Sequence, residues 1–205
     1  EEKQMVELFQ KGGYVMYPLL VCSVIALTFS IERLFFWIKE KRARNTKLLI
    51  DIMKEAETGQ YESALRLGSK SKDHVIRVIC NGLAHIEFSM INALEMAAGD
   101  EISRMKRGLG VLDTIITMAP LLGILGTVIG IIQSFDMLGQ MGIEDPKAVT
   151  VGIAQALITT AAGLTIALAT LIPYNYFISC VEKATRNLEK YTTSLEILYQ
   201  KNTYK

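Results

Sequence analysis

The segment from Gly108 to Phe135 constrains the fold more than any other part of the chain. It has no charged side chain from Thr114 to Phe135, and about 20 apolar residues let a helix cross the ~30 Å core of a bilayer. Small or polar residues recur at helical spacing along one face, and this face is expected to pack against other helices because lipid does not favour Gly or Thr. These residues are Asp113, Thr117, Pro120, Gly123, Thr127, Gly130 and Ser134, and Gly126 forms a GxxxG motif with Gly130.

A second segment, from Ala148 to Val181, carries no charge at all and is longer than one crossing needs. Its small residues recur at alternating spacings of four and three, which is the left-handed helix-packing period. They are Gly152, Ala156, Thr160, Gly163, Ala167 and Thr170. Both helices have a small-residue face and a threonine near mid-membrane. This pattern predicts that the two helices pair and line a narrow space. Tight packing alone is the alternative interpretation.

A third apolar block near the N-terminus is interpreted as a retained transmembrane helix over 14–38. A signal peptide is disfavoured because the run is long, no basic region precedes it and no small-residue cleavage site follows. Phe36 and Trp37 are expected at the membrane interface, with Arg33 snorkelling. Lysine and arginine follow the first and third helices and precede the second, and positive residues favour the cytoplasm. The N-terminus is therefore predicted outside and the C-terminus inside.

These patterns predict an all-α integral membrane protein with three transmembrane helices, whose long helices extend into a cytoplasmic helical bundle. A helix that begins near Asp73 is predicted to run without a break into the second membrane helix, and the third runs on past Cys180. The predicted segments are an extracytoplasmic N-terminus (1–13), the first transmembrane helix (14–38), a cytoplasmic helical region (39–107), the second transmembrane helix (108–135), an extracytoplasmic loop (136–147), the third transmembrane helix (148–180) and a cytoplasmic C-terminal helix (181–205).

The composition excludes several classes of function. Half of the residues are hydrophobic and the net charge is +1, which is typical of a membrane protein and argues against nucleic-acid binding. The cysteines Cys22, Cys80 and Cys180 lack the spacing of a disulfide framework or a zinc site. His74 and His85 are interpreted as solvated or partly buried helix residues. No nucleophile–base pair, metal cluster or phosphate loop is visible, so no enzyme, metal or cofactor is predicted.

Thr127 and Thr160 are the main candidates for an ion pathway. At 1.5 Å per helical residue both lie roughly 12–15 Å below the outer surface, so they can share one site. Thr159 and Gln155 add a hydroxyl and an amide, but none of these groups titrates near neutral pH. Pro120 is predicted to kink its helix or free a carbonyl, with curvature for packing as the alternative.

Carboxylates inside a membrane are usually functional, and this chain has few. The segment from Ala148 to Val181 has none, and the segment from Gly108 to Phe135 has only Asp113, at its cytoplasmic end. Asp113 either receives an ion that leaves a pore or is an interfacial carboxylate or salt-bridge partner. If ions pass at mid-membrane, the carboxylate must therefore come from a partner.

The segments APLLGILGTVIGIIQSF (119–135) and GIAQALITTAAGLTIALATLIPYNYF (152–177) resemble the two signature helices of the MotA/TolQ/ExbB proton-channel family. The helix order and SVIALTFSIERLF (23–35) are similar to its three-helix ExbB/TolQ branch. The resemblance implies a homopentamer around a pore in a bacterial inner membrane. The pore would hold two copies of an ExbD/TolR-like partner, each with one membrane helix bearing an essential aspartate. Such a motor converts proton-motive force into mechanical work on the envelope, with a TonB/TolA-like protein as a further partner.

By motif position, the resemblance implies that Thr127 and Thr160 are pore threonines, and it matches Pro120 and the glycines Gly123, Gly126 and Gly130. Gln155 departs from the family, which typically has glutamate there, so the resemblance implies no proton role at this position. Thr159 adds a hydroxyl that would suit sodium coordination. A sodium-driven motor of the same family and a non-conducting membrane scaffold are the alternatives.

Overall fold

The computed structural model describes residues 9–141 and 146–203, and in these ranges the chain is helical with no strand. The prediction of an all-α protein is confirmed. A 3-10 turn at Gly13–Val15 is followed by α1 (Met16–Ala43), α2 (Thr46–Glu57), α3 (Tyr61–Gly68), α4 (His74–Ala84), α5 (Met90–Lys106), α6 (Leu109–Met141) and α7 (Pro146–Thr203).

Three stretches of these helices are long and apolar enough to cross a membrane: Gly13–Ala43, Leu109–Gly139 and Thr150–Asn202. They contain the three transmembrane helices that the sequence predicts. The ends differ, because α6 continues to Met141 and α7 begins at Pro146. Much of the predicted loop at 136–147 is therefore helical, and residues 142–145 lie outside the described residues.

The prediction of one unbroken helix from Asp73 into the second membrane helix is wrong. The chain leaves helical geometry between α4 and α5, and again between Lys106 and Leu109. At the second break Arg107 has an extended ψ of 132°, and Gly108 has a φ of 79°. A positive φ of this size costs glycine little and other residues much more, so Gly108 separates α5 from α6.

Two compact units divide the chain. The first, here called the membrane unit, comprises residues 1–32 and 108–176, and the second, the bundle unit, comprises 33–107 and 177–205. Because α1 and α7 are long, each contributes residues to both units. α7 runs without a break past Cys180, as the sequence predicts.

The bundle unit is built from short amphipathic helices with defined starts. Asn45 begins α2, where its Oδ1 accepts a hydrogen bond from the Leu48 N–H at 3.1 Å. Asp73 begins α4 by accepting from the Val75 N–H at 2.9 Å, and its other oxygen accepts from the Asn45 N–H at 2.8 Å. One carboxylate thus ties the starts of α2 and α4 together. The apolar faces meet in a core that includes Leu49, Ile52, Ile76, Ile79, Leu94, Leu188 and Leu195.

A buried ionic network holds the last turns of α1 against α4 and α5. Glu40 accepts from His74 Nδ1 at 2.9 Å and from Arg104 Nη2 at 3.1 Å. Arg104 also pairs with Glu101 at 2.8 Å, and Glu101 pairs with Arg77 at 2.7 Å. Because an ionised carboxylate only accepts hydrogen bonds, Nδ1 of His74 carries the proton of this bond.

Arg33 and His74 differ from their predictions. Arg33 is buried in this structure, and its guanidinium lies 4.8 Å from the centroid of the Phe36 ring, where a cation–π contact compensates part of the lost hydration. His74 is fully buried rather than partly solvated, because its partner Glu40 approaches from a distant helix. His85 is exposed, and its Nδ1 lies 2.9 Å from the carbonyl oxygen of Asn81.

Replacing Glu40 tests the network. Glu40→Ala is expected to destabilise the bundle unit by about 2 kcal/mol, because the buried His74 and the partly exposed Arg104 lose their shared acceptor. Thermal unfolding of the full chain in detergent, followed by circular dichroism, measures the change. The control is Glu57→Ala, since Glu57 lies 3.9 Å from Lys201 with both side chains 57% exposed, and its loss should cost under about 0.5 kcal/mol. Equal effects of both variants would contradict a structural role for the network.

Candidate functional site

α6 and α7 approach each other in the membrane unit along a seam of small residues. A Cβ on Gly130 would lie 2.7 Å from the carbonyl oxygen of Gly152. A Cβ on Gly163 would lie 3.2 Å from the Cα of Gly123 and would collide with the carbonyl oxygen of Ala119. These neighbours are backbone atoms that cannot turn aside, so the helices reach this distance only with glycine at these positions. The seam also buries Ala156 and Ala167.

Thr159 lies inside this seam, opposite Gly126. A Cβ on Gly126 would lie 2.6 Å from the Cβ of Thr159, so the glycine provides the space for the threonine. The Thr159 side chain is completely buried, and its hydroxyl lies 2.9 Å from the carbonyl oxygen of Ala156. This hydroxyl can therefore donate to backbone of its own helix, in addition to its contact of 3.5 Å with the Gly123 carbonyl.

Thr127 of α6 and Thr160 of α7 face each other across the edge of the seam. Their hydroxyls are hydrogen-bonded to each other, and each lies 3.1 Å from the carbonyl oxygen of Gly123. Both side chains are partly exposed. A hydroxyl has one donor and two acceptor positions and can rotate. The cluster can therefore either accept from a neutral acid or donate to an anion that approaches it.

Gln155 is directed to a different part of the structure. Its amide packs against Gly13 in the 3-10 turn, where a Cβ on Gly13 would lie 2.9 Å from the amide carbon. Gly13 has a φ of 68°, which also favours glycine. Gln155 thus supports the turn that precedes α1, while Thr127 and Thr160 form their cluster about one helical turn away along α7.

Asp113 and Pro120 lie on α6 between its first residue, Leu109, and Thr127. Asp113 is separated from Thr127 by ~21 Å along the axis at 1.5 Å per residue. It is exposed, and its carboxylate lies beside the Tyr174 side chain. Sequence reasoning missed Tyr174, because the pairing depends on the register between α6 and α7. Pro120 is within α6, which continues through it, and its ring leaves the carbonyl of Ile116 without the usual N–H partner.

These features define an all-α membrane protein whose two apolar helices carry a cluster of hydroxyl groups. A sequence profile of the MotA/TolQ/ExbB proton channel family matches residues 70–190, which include that cluster. The chain belongs to this family, and the resemblance seen in its sequence is confirmed.

Relatives that align with most of the chain indicate the same family. The chain is 34% identical to an ExbB-like biopolymer transport protein of Synechocystis sp., over 98% of this chain and 81% of the relative. It is 30% identical to the biopolymer transport protein ExbB of Salmonella typhimurium, over 80% of this chain and 71% of the relative. An ExbB homolog of Methanothermobacter thermautotrophicus is 31% identical over 90% of this chain and 67% of the relative.

A single methyl group tests the seam. Gly163→Ala is expected to destabilise the membrane unit by about 2 kcal/mol, because its Cβ meets backbone that cannot yield without separating the helices. Gly110→Ala in α6 is the control, since a Cβ there has no neighbour within 4 Å. Unfolding of both variants by sodium dodecyl sulfate, followed by circular dichroism, gives the comparison. If Gly163→Ala unfolds at the same detergent fraction as Gly110→Ala, the close approach of α6 and α7 is wrong.

Proposed function

We propose that this chain is the pore-forming subunit of a proton channel that converts proton-motive force into mechanical work on the cell envelope. The observation that carries the proposal is the cluster of Thr127, Thr160 and the Gly123 carbonyl, formed on two apolar helices. Membership of the proton channel family supports the same function. The chain would be a multi-pass protein of the bacterial inner membrane, with its N-terminus outside and its C-terminus in the cytoplasm, as the basic flanks of the helices favour.

The cluster suits proton exchange on a carboxylate that another protein supplies. The chain has no acidic residue between Asp113 and Asp136 or between Asp145 and Glu182. In a low-dielectric pore a carboxylic acid is far more stable neutral than ionised. Hydroxyls that both donate and accept can solvate the two protonation states in turn, which lowers the cost of the ionised one. Threonine therefore assists the exchange without titrating itself.

The partner that fits this chemistry is an ExbD/TolR-like protein with one membrane helix and an aspartate. Five copies of this chain would surround two copies of that helix, and a TonB/TolA-like protein would receive the work. A closed ring is physically reasonable, since one chain that presents two different faces makes head-to-tail contacts with its neighbours. Asp113, exposed beside Tyr174, would accept the proton on its way to the cytoplasm.

A sodium-driven motor is the second candidate. Three hydroxyl oxygens and one carbonyl oxygen converge at Gly123, because Thr159 joins Thr127 and Thr160 there. Oxygen ligands of this kind suit a hard cation, although a full coordination shell needs additional oxygens from a partner. Sodium uptake, in place of proton uptake, by vesicles that contain the complete complex would favour this candidate over the proton channel.

Loss of one hydroxyl tests the proton pathway. Thr160→Val is expected to lower proton uptake at least about tenfold in vesicles that contain the complete complex, because the valine neither donates nor accepts. Thr160→Ser keeps the hydroxyl and should retain most of the flux. Uptake is measured with a pH-sensitive dye under an imposed potential.

The matched control is Thr165→Val. Thr165 is exposed, and its hydroxyl bonds only to the Ala161 carbonyl of its own helix among the described residues. Its loss should leave the flux unchanged. If Thr160→Val conducts like the unmodified complex, the threonines are packing residues. If neither the variants nor the unmodified complex conducts protons, the proposed channel is wrong and the chain is a non-conducting scaffold.

A further inference from the structure

An apolar groove runs between α5 and the last turns of α7 in the bundle unit. Its volume is about 290 Å³, and its floor is formed by Leu94, Ala98, Ile102 and Leu188. A groove with an apolar floor between two helices can receive an apolar side chain from another helix.

Three carboxylates line the groove: Glu95, Glu189 and Glu196. Among the described residues none of them has a cation within ion-pair distance. Lys190, the neighbour of Glu189, lies 5.6 Å from the centroid of the Tyr191 ring instead. The groove is therefore apolar inside and negative at its edge.

The complementary surface lies on α3 and the loop that follows it. Leu67 is 44% exposed there. Three exposed cations surround it in the sequence, Arg66, Lys70 and Lys72, and among the described residues none of them has an ion-pair partner. Glu62 lines the same depression as Arg66 and Leu67, so this surface is an apolar side chain with three positive charges and one negative charge around it.

The two surfaces are on different helices of one unit. α4 packs against both α3 and α5, so the basic surface and the acidic groove lie on separate neighbours of α4. A chain that carries two different and complementary surfaces associates head to tail, and such contacts close into a ring when the rotation allows it.

We propose that the groove of one copy receives Leu67 of the next copy, with Arg66, Lys70 and Lys72 placed against the three glutamates. The inference rests on the proposed ring and deepens it, because it names the contact outside the membrane-spanning segments. Its apolar centre supplies affinity, and the charges around it fix the register and exclude like surfaces.

Disulfide cross-linking in the full chain tests the contact. In a background with Cys22, Cys80 and Cys180 replaced by alanine, Lys70→Cys and Glu189→Cys are combined and oxidised in membranes. The expected result is a ladder of covalent multimers on a non-reducing gel. Asp51→Cys with Glu189→Cys is the matched control, since Asp51 is an exposed residue of α2, and it should give monomer.

Charge reversal in the same background shows whether the surfaces recognise each other. Arg66→Glu with Lys72→Glu should lower the multimer yield about tenfold, as should Glu95→Lys with Glu196→Lys, because each change places like charges together. All four substitutions in one chain should restore the ladder. Lys47→Glu with Lys54→Glu, the same number of reversals on the exposed side of α2, should have no effect.

Native mass spectrometry of the same preparations separates the possible failures. If the chain forms a ring but the Lys70→Cys/Glu189→Cys variant gives no more multimer than the control, this contact is wrong and the proposed channel stands. A groove cysteine that cross-links to a different protein, or reversals that the combined variant does not rescue, would also overturn it. An unmodified chain that is monomeric would overturn the ring itself, and with it this inference.

Discussion

The membrane unit depends on the contact between α6 and α7. At Gly130 and Gly152 the two backbones are so close that a Cβ on Gly130 would lie 2.7 Å from the carbonyl oxygen of Gly152. Gly126 provides the space for the side chain of Thr159. In lipid the hydrophobic effect does not drive helices together, so close packing and interhelical hydrogen bonds must do so. The same contact places Thr127 and Thr160 within hydrogen-bond distance. The packing and the candidate site are thus one arrangement.

The bundle unit is organised by a different interaction. Glu40, near the end of α1, binds His74 at the start of α4 and Arg104 at the end of α5. A buried carboxylate is tolerated there because two donors replace its hydration. The last turns of α1 are thereby held against α4 and α5 within the bundle unit.

Helical periodicity and hydropathy predict most of the fold, because both reflect which face of a helix is buried. They predict the apolar spans, and the small faces of α6 and α7 are visible as spacings of three and four. The break at Gly108 is missed, since a glycine inside a periodic segment does not reveal its φ. The pairs Glu40–His74 and Gln155–Gly13 are also missed, because contacts between distant helices depend on a register that local patterns do not contain. The sequence therefore predicts Gln155 as a pathway residue. In the structure its amide packs against Gly13, in the turn before α1.

The proposed channel depends on one division of roles: this chain supplies hydroxyls, and a partner supplies the titrating carboxylate. Proton uptake by vesicles that contain the unmodified chain, with and without a single-helix partner bearing a membrane aspartate, tests it most directly. Uptake is expected only when the partner is present, because the described part of α6 and α7 places no acidic residue beside Thr127 and Thr160. Equal uptake by the chain alone would contradict it.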